Sequence, residues 1–210
     1  MKPIIQLIAT AAATVAFATS AIAAEAPDAL VKRISADVIE TVKADKDIQA
    51  GNRAKIMDLV NSKILPHVDA EKMTQQAAGR YWRQATPEQQ KQLIKEFTNL
   101  LVYTYAGALS QIKNETVEFK PFRAEAGASD VEVRSQVNVA RGEPITLNYR
   151  LSNGPQGWKI YDINVLGAWL VQTYTSTFAS EINKNGIDGL IKKLAERNQQ
   201  LAAKPLKAPK

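Results

Sequence analysis

Apolar residues recur at helical spacing through the first half of the chain and at strand spacing after Thr116. Leu30, Val31, Ile34, Val38 and Val42 share one face of a helix predicted from Asp28 to Val42, with Lys32, Arg33, Asp37 and Glu40 between them. Asp45-Lys46-Asp47 and Gly51 interrupt the pattern. A second helix is predicted over Asn52 to Ile64, with Ile56, Leu59, Val60 and Ile64 on one side, and Pro66 prevents a regular continuation. A short third helix runs from Asp69 to Ala78 and stops at Gly79, a residue suited to a left-handed position. Arg80-Tyr81-Trp82-Arg83 follows, an aromatic pair able to lie on apolar surface while its polar atoms reach water. The fourth helix has the clearest local signature. Thr86 is its N-cap, Pro87 suits the first turn, and Gln89 completes a capping box. Its apolar face is Leu93, Phe97, Leu100, Leu101, Tyr105, Ala108 and Leu109. Running to about Gln111, it would be roughly 37 Å long, enough to cross a small sheet.

From Thr116 the period becomes two. Val117 and Phe119 alternate with charges up to Pro121, a residue of strand edges and ends. Val131, Val133, Val137 and Val139 form a second strand, and Ile145, Leu147, Tyr149 and Leu151 a third. The fourth runs from Trp158 to Val165. It is irregular: Trp158 and Ile160 point one way, and Tyr161, Ile163 and Val165 the other, which a bulge or cover on both faces would explain. Short turns at Arg141-Gly142-Glu143-Pro144 and Asn153-Gly154-Pro155-Gln156-Gly157 imply antiparallel neighbours. Past Gly167 a helix is predicted from about Trp169, broken at Asn185-Gly186 and resumed from Ile187 to Leu201. The sum is an α+β fold, with N- and C-terminal helices on a four-stranded antiparallel sheet.

The N-terminus changes the picture of where the chain works. Met1-Lys2, an uncharged apolar run over Ile4 to Phe17, and Ala21-Ile22-Ala23 form the pattern of an export signal cleaved after Ala23. About 14 apolar residues are too few to span a bilayer. The expected organisation is a signal at 1–23, one domain at 24–203, and a free basic tail at 204–210. Cysteine is absent, so no disulfide supports an exported domain that must rely on its core; ~187 residues suffice for that. The net charge is +6. It fits either an acidic partner, such as an anionic membrane surface, or simple solubility. Export argues against nucleic acid as a partner.

Motifs for chemistry are few. His67 is the one histidine and follows a helix-ending proline. No GxSxG elbow, glycine-rich phosphate loop or metal-spaced histidine–carboxylate cluster appears, and no cofactor is indicated. Asp162 is the acid to watch. Among Trp158, Ile160, Tyr161 and Ile163 it could be a general base of raised pKa, or an acid paired with a basic group or backbone N–H. The other resource is apolar: Phe97, Leu101 and Tyr105 from the long helix, Val137, Val139, Leu147, Tyr149 and Leu151 from strands, and Trp169 and Tyr174 beyond them. For each of them a packed core is the first expectation, and a ligand cavity needs a further sign.

The order and spacing of Gly79-Arg80-Tyr81-Trp82, Gln89, Phe97, Thr104-Tyr105-Ala106, Tyr149, Trp158-Lys159-Ile160-Tyr161-Asp162-Ile163, Gly167, Tyr174 and Phe178 resemble the MlaC family of periplasmic phospholipid carriers, also called toluene-tolerance auxiliary proteins. The likeness covers about residues 28–200. It implies a sheet and helices enclosing an apolar pocket, phospholipid tails inside and a headgroup at the mouth. It adds Ile163 and Val165 to the ten residues above as expected lipid contacts. It implies a monomer in the periplasm, not an enzyme, with an outer-membrane lipoprotein complex and an inner-membrane ABC transporter complex as partners, and a role in outer-membrane lipid asymmetry. The family often has serine two residues after the glycine; here Ala168 and Trp169 follow Gly167. Two other functions keep their place: an enzyme on a similar cone-shaped fold, with Asp162 as base on a small apolar substrate, and a protein-binding adaptor using its basic surface.

Overall fold

A computed structural model describes residues 25–125, 127–139 and 143–206. The expected signal at 1–23 lies outside the described residues, as does most of the Arg141-Gly142 turn. Helix α1 spans Pro27–Ala44, with Leu30, Val31, Ile34, Val38 and Val42 buried as the spacing predicts. A short α2, Lys46–Gln49, follows at once because the Asp45 carboxylate accepts from the Asp47 and Ile48 N–H groups. Helix α3, Arg53–Leu59, loosens into a π turn over Val60–Ile64 and a 3-10 turn over Leu65–His67 that holds Pro66. The expected single helix over 52–64 thus changes pitch before the proline, which has no N–H to continue it.

Asp69 caps α4, Ala70–Ala78, and Gly79 ends it at φ 56°. Tyr81 and Trp82 are buried in a 3-10 turn. The Tyr81 hydroxyl donates to Asn183 Oδ1 at 2.7 Å and accepts from Arg80 Nη2 at 2.8 Å, so the ring is covered and its oxygen satisfied. Helix α5, Pro87–Tyr105, carries the capping box of Thr86 and Gln89 in full. It tightens to 3-10 geometry over Ala106–Gln111. Helix α6, Leu170–Ala202, is kinked at Gly186, where φ 72° and ψ −180° are not helical. The expected break at Asn185-Gly186 is this kink.

The sheet is one antiparallel meander in the order β1-β2-β3-β4-β5. Its strands are β1 Thr116–Phe119, β2 Asp130–Asn138, β3 Ile145–Gly154, β4 Gly157–Val165 and β5 Ala168–Trp169. Five strands replace the four expected. The fifth is two residues long, folded back by a turn at Leu166 and Gly167, and too short to show a period. In β4 the bulge is present. Leu151 pairs with Ile160 while Arg150 pairs with Asp162, so Tyr161 is the extra residue. Beyond it the parity reverses. Trp158, Ile160, Ile163 and Val165 share one face, correcting the expected split, and Tyr161 and Asp162 turn to the other.

The two faces carry two apolar clusters. On the first, α1, α2, α3 and the 3-10 end of α5 cover Val133, Tyr149, Leu151 and Ile160. On the second, α4, α5 and α6 pack around Phe97, Phe178, Leu93 and Leu190, with Tyr161 reaching them from the sheet. Helix α5 serves both: Leu93 and Phe97 enter the second cluster, and Val102 with the following Ala106 joins the first. The tail expected to be free from Lys204 is held at its start. Leu206 is buried in the first cluster and Arg53 Nη1 donates to the Lys204 carbonyl at 2.9 Å.

Candidate functional site

The strand register gathers most of the expected contacts on one face. Val117, Val137 and Ile145 lie side by side across β1, β2 and β3, as do Phe119, Ser135, Leu147 and Val165 across four strands. Val133, Tyr149 and Ile163 form the next row, and Val131, Leu151 and Ile160 the last. Tyr149 and Leu151 are buried; Val137, Leu147, Ile163 and Val165 are half-buried, and so is Val139 just past the end of β2. Burial pushes the Tyr149 pKa up, opposed by Ser35 of α1 and Ser135 of β2 beside it.

Five expected contacts lie elsewhere. Phe97 is fully buried in the second cluster, with Leu101 and Tyr174 at its edge. The Phe97 ring meets Tyr174 and Phe178 edge-on, with centroids 5.1 and 5.0 Å away. Tyr105, half-buried at the end of α5, adjoins the Tyr174 hydroxyl, whose pKa is pushed up to about 12 by burial and then by Tyr105. Trp169 sits on the sheet face opposite Tyr149, its ring 3.8 Å from the Arg150 guanidinium. Of the twelve, Leu147, Tyr149, Leu151 and Ile163 belong to the first cluster and Phe97, Leu101 and Tyr174 to the second, while Val137 and Val165 share the sheet face of the first.

The open space adjoins the first cluster. A groove of about 660 Å³ runs between α1 and the edge strand β1. This volume lies within the range of small-molecule sites. Ser35, Ala36 and Ile39 form its helical wall, Val117 and Phe119 its strand wall. Phe119 also packs on the first cluster, so groove and sheet face share a wall. β1 is the edge of the sheet, with β2 as its one hydrogen-bonded neighbour. Lysines stand at both ends. Lys32 Nζ is 2.8 Å from Asp28 Oδ2 and 5.9 Å from the centre of the Phe119 ring. Lys43 Nζ donates to the Glu115 carbonyl at 3.3 Å. Ile39 and Ser35 were not singled out in the sequence. The available signal was that Ile39 lies off the Leu30–Val42 stripe, which widens the apolar face of α1 toward β1.

Asp162 takes the pairing role of its two expected roles. It is 1% exposed, and Oδ1 accepts from Ile163 N at 2.9 Å and Val171 N at 3.0 Å. Val171 is the second residue of α6, whose own N-cap position, Trp169, offers no side-chain acceptor. The strand carboxylate thus caps the helix across a chain reversal. Arg150 Nη1 lies 3.8 Å from Oδ2. Burial raises the Asp162 pKa, opposed by the two N–H groups and Arg150. A second, more polar cleft of about 410 Å³ lies between the start of α1, His67 and the β3–β4 turn. There Arg33 holds the Glu25 carboxylate through two bonds of 2.8 Å, and burial lowers the His67 pKa. Among the described residues no group of three or more potential metal-ligating side chains converges.

Comparison with known proteins adds a lineage to this geometry. A family model described as "MlaC protein" matches residues 32–196. The chain is 25% identical over 190 residues to the intermembrane phospholipid transport system binding protein MlaC of Haemophilus influenzae, covering 89% of this chain and 87% of that one. It is 27% identical over 202 residues to the toluene tolerance protein ttg2D of Pseudomonas putida, covering 93% and 94%. Among solved structures it resembles the phospholipid-binding protein of Ralstonia solanacearum in complex with a phospholipid. That match has a TM-score of 0.79 and 51% identity, over 84% of this chain and 98% of the other.

Proposed function

The chain belongs to the MlaC family, and from that premise we propose that it is a soluble periplasmic carrier of phospholipid, not an enzyme. The acyl chains lie against the α1-facing side of the sheet, on Val137, Val139, Leu147, Tyr149, Leu151, Ile163 and Val165, and enter by the groove between α1 and β1. Phe97, Leu101, Tyr105, Tyr174 and Trp169 act as the framework behind that surface. The lipid passes between an outer-membrane lipoprotein complex and an inner-membrane ABC transporter complex, in the maintenance of outer-membrane lipid asymmetry.

The observation that carries this reading is the open apolar groove that shares the wall of Phe119 with the sheet face, in a chain 51% identical to a protein bound to phospholipid. The energetics agree. Each buried CH₂ is worth about 0.8 kcal/mol, so two long acyl chains represent on the order of 20 kcal/mol of gross transfer. Diffusion of free lipid through water is closed by that cost. A carrier needs to match the bilayer and not exceed it greatly, and carriage breaks no covalent bond. Direction then comes from the partners.

The test is to purify the exported chain without detergent, weigh it by native mass spectrometry and extract what it holds. Stoichiometric phospholipid is the expected result. An unliganded mass, with no uptake from liposomes, would sink the reading.

A further inference from the structure

The groove has two ends, and they differ in electrostatic state. Lys32, Ser35, Ile39 and Lys43 follow one line along α1, and the eleven helical steps from one lysine to the other amount to roughly 16 Å. At the Lys32 end the charge is answered by Asp28 at 2.8 Å, whose carboxyl Lys32 holds below its ordinary pKa. At the Lys43 end no ion pair forms among the described residues, and the nearby Glu115 carboxyl is held below its ordinary pKa first by the Lys113 N–H and only in part by Lys43. Lys43 donates to a backbone carbonyl at 3.3 Å, that of Glu115 across the groove. Neither Lys43 nor Glu40 has an ion-pair partner among the described residues. The Glu115 carboxylate is bent back on its own turn, where it accepts from the Lys113 N–H.

Glu40 and Lys43 are three residues apart on the helix, a separation that places their Cβ atoms ~5–6 Å from each other. Both are exposed and both line the groove. An opposite pair at this spacing commonly joins; here the two remain separate, one free and one reaching over the groove. The pair matches a ligand that carries a positive and a negative group a few bonds apart next to an apolar body.

We propose, resting on the carrier reading above, that the C-terminal end of α1 reads the lipid headgroup. Lys43 binds the phosphate and Glu40 the ammonium of a zwitterionic glycerophospholipid whose chains lie in the groove. On loading, Lys43 leaves the neutral Glu115 carbonyl for a phosphate oxygen, a bond in which both partners are charged and the stronger of the two. The same exchange frees the strap across the groove. Lys32, already neutralised, takes no part in the choice of headgroup.

The experiment loads the full exported chain from vesicles of equal phosphatidylethanolamine and phosphatidylglycerol, then quantifies both lipids in the re-isolated protein. The wild type is expected to enrich the ethanolamine lipid. Glu40→Lys is expected to shift the bound ratio about fivefold toward the glycerol lipid, the scale of one exposed charge contact. Lys43→Glu lowers the bound amount of both lipids. Lys32→Glu keeps the wild-type ratio. All three sites are exposed, and unchanged thermal unfolding of the variants checks the fold. Stoichiometric loading with the vesicle's own ratio in wild type and Glu40→Lys alike would overturn the headgroup assignment and leave the carrier reading standing. A ratio shifted by Lys32→Glu and not by Glu40→Lys would move recognition to the other end and overturn it as well. Absence of any bound lipid in the wild type would remove the carrier reading and this inference together.

Discussion

The two apolar clusters are built from the same kinds of residue and finished differently. Around Phe97, three helices close on one another. Leu93, Phe97, Phe178, Val171 and Leu190 are at most 2% exposed, and three aromatic rings meet at centroid distances between 5.0 and 5.9 Å. Around Tyr149, α1, α2, α3 and the 3-10 end of α5 lie over one sheet. Val133 and Leu151 are as deeply buried, but Leu147, Ile163, Val165 and Phe119 are not, and a groove of about 660 Å³ stays open at the β1 edge. Helices can close on each other by fitting side-chain ridges into grooves. A straight helix on a twisted sheet leaves a wedge at one edge unless large side chains fill it. Here Ser35, Ala36 and Val117 face that wedge and leave it open. We infer that the closed cluster serves stability and the open one takes the ligand.

Three substitutions test this division. The largest effect is expected from Phe97→Ala, which leaves a cavity among the aromatic rings and costs about 3–5 kcal/mol in chemical denaturation. Asp162→Ala comes next. It strands the Ile163 and Val171 N–H groups and should cost about 2–3 kcal/mol by the same measurement. Ile39→Glu breaks the comparison from the other side. It places a charge in the groove and is expected to lower lipid loading at least tenfold, about 1.4 kcal/mol, with thermal unfolding close to wild type. Equal loss of fold and loading in this variant would mean that the groove belongs to the core.

A finer test uses pH. The folded-state pKa of Asp162 is raised, so its buried charge costs stability above that pKa, and the cost vanishes as pH falls below the ordinary aspartate value of about 3.9. Asp162→Asn keeps an acceptor for the two N–H groups and removes the charge. It is therefore expected to match or exceed the wild type at pH 7. That advantage should shrink as the pH drops through the window between the raised and ordinary values. An advantage that grows on acidification would show that the carboxylate is net stabilising. The smallest effect belongs to Leu166, 72% exposed at φ 54° in the β4–β5 turn. Leu166→Gly relieves a backbone that costs a leucine about 1 kcal/mol or more. Unfolding should show a gain below that figure, offset by the added freedom of glycine in the unfolded chain.

Local signals were the legible part of this chain. Thr86 and Gln89 announce their capping box, Asp69 and Gly79 bound their helix, and the irregular order of Trp158, Ile160, Tyr161 and Ile163 points to a bulge or to cover on both faces, of which β4 contains the bulge. Parity along β3 correctly puts Leu147, Tyr149 and Leu151 on one face. Layer assignment was not legible. Nothing local tells that Phe97 and Tyr149 lie on opposite sides of the sheet, because each pattern shows only that a face is apolar. The bulge also defeats alternation: one extra residue, Tyr161, returns Ile163 and Val165 to the face of Ile160. The groove was least visible of all. It arises where small side chains leave space between α1 and β1, some 72 positions apart at Lys43 and Glu115.

The most direct measurement is photo-crosslinking with a phospholipid that carries a diazirine on its acyl chain, loaded into the full exported chain and mapped by peptide mass spectrometry. The expected labels fall on α1 between Ser35 and Ile39, on Val117 and Phe119, and on the Leu147–Leu151 and Ile163–Val165 segments. Labels concentrated instead on Phe97, Leu101, Tyr174 and Phe178 would place the lipid in the helical cluster and contradict the division of the molecule into a closed half and an open one.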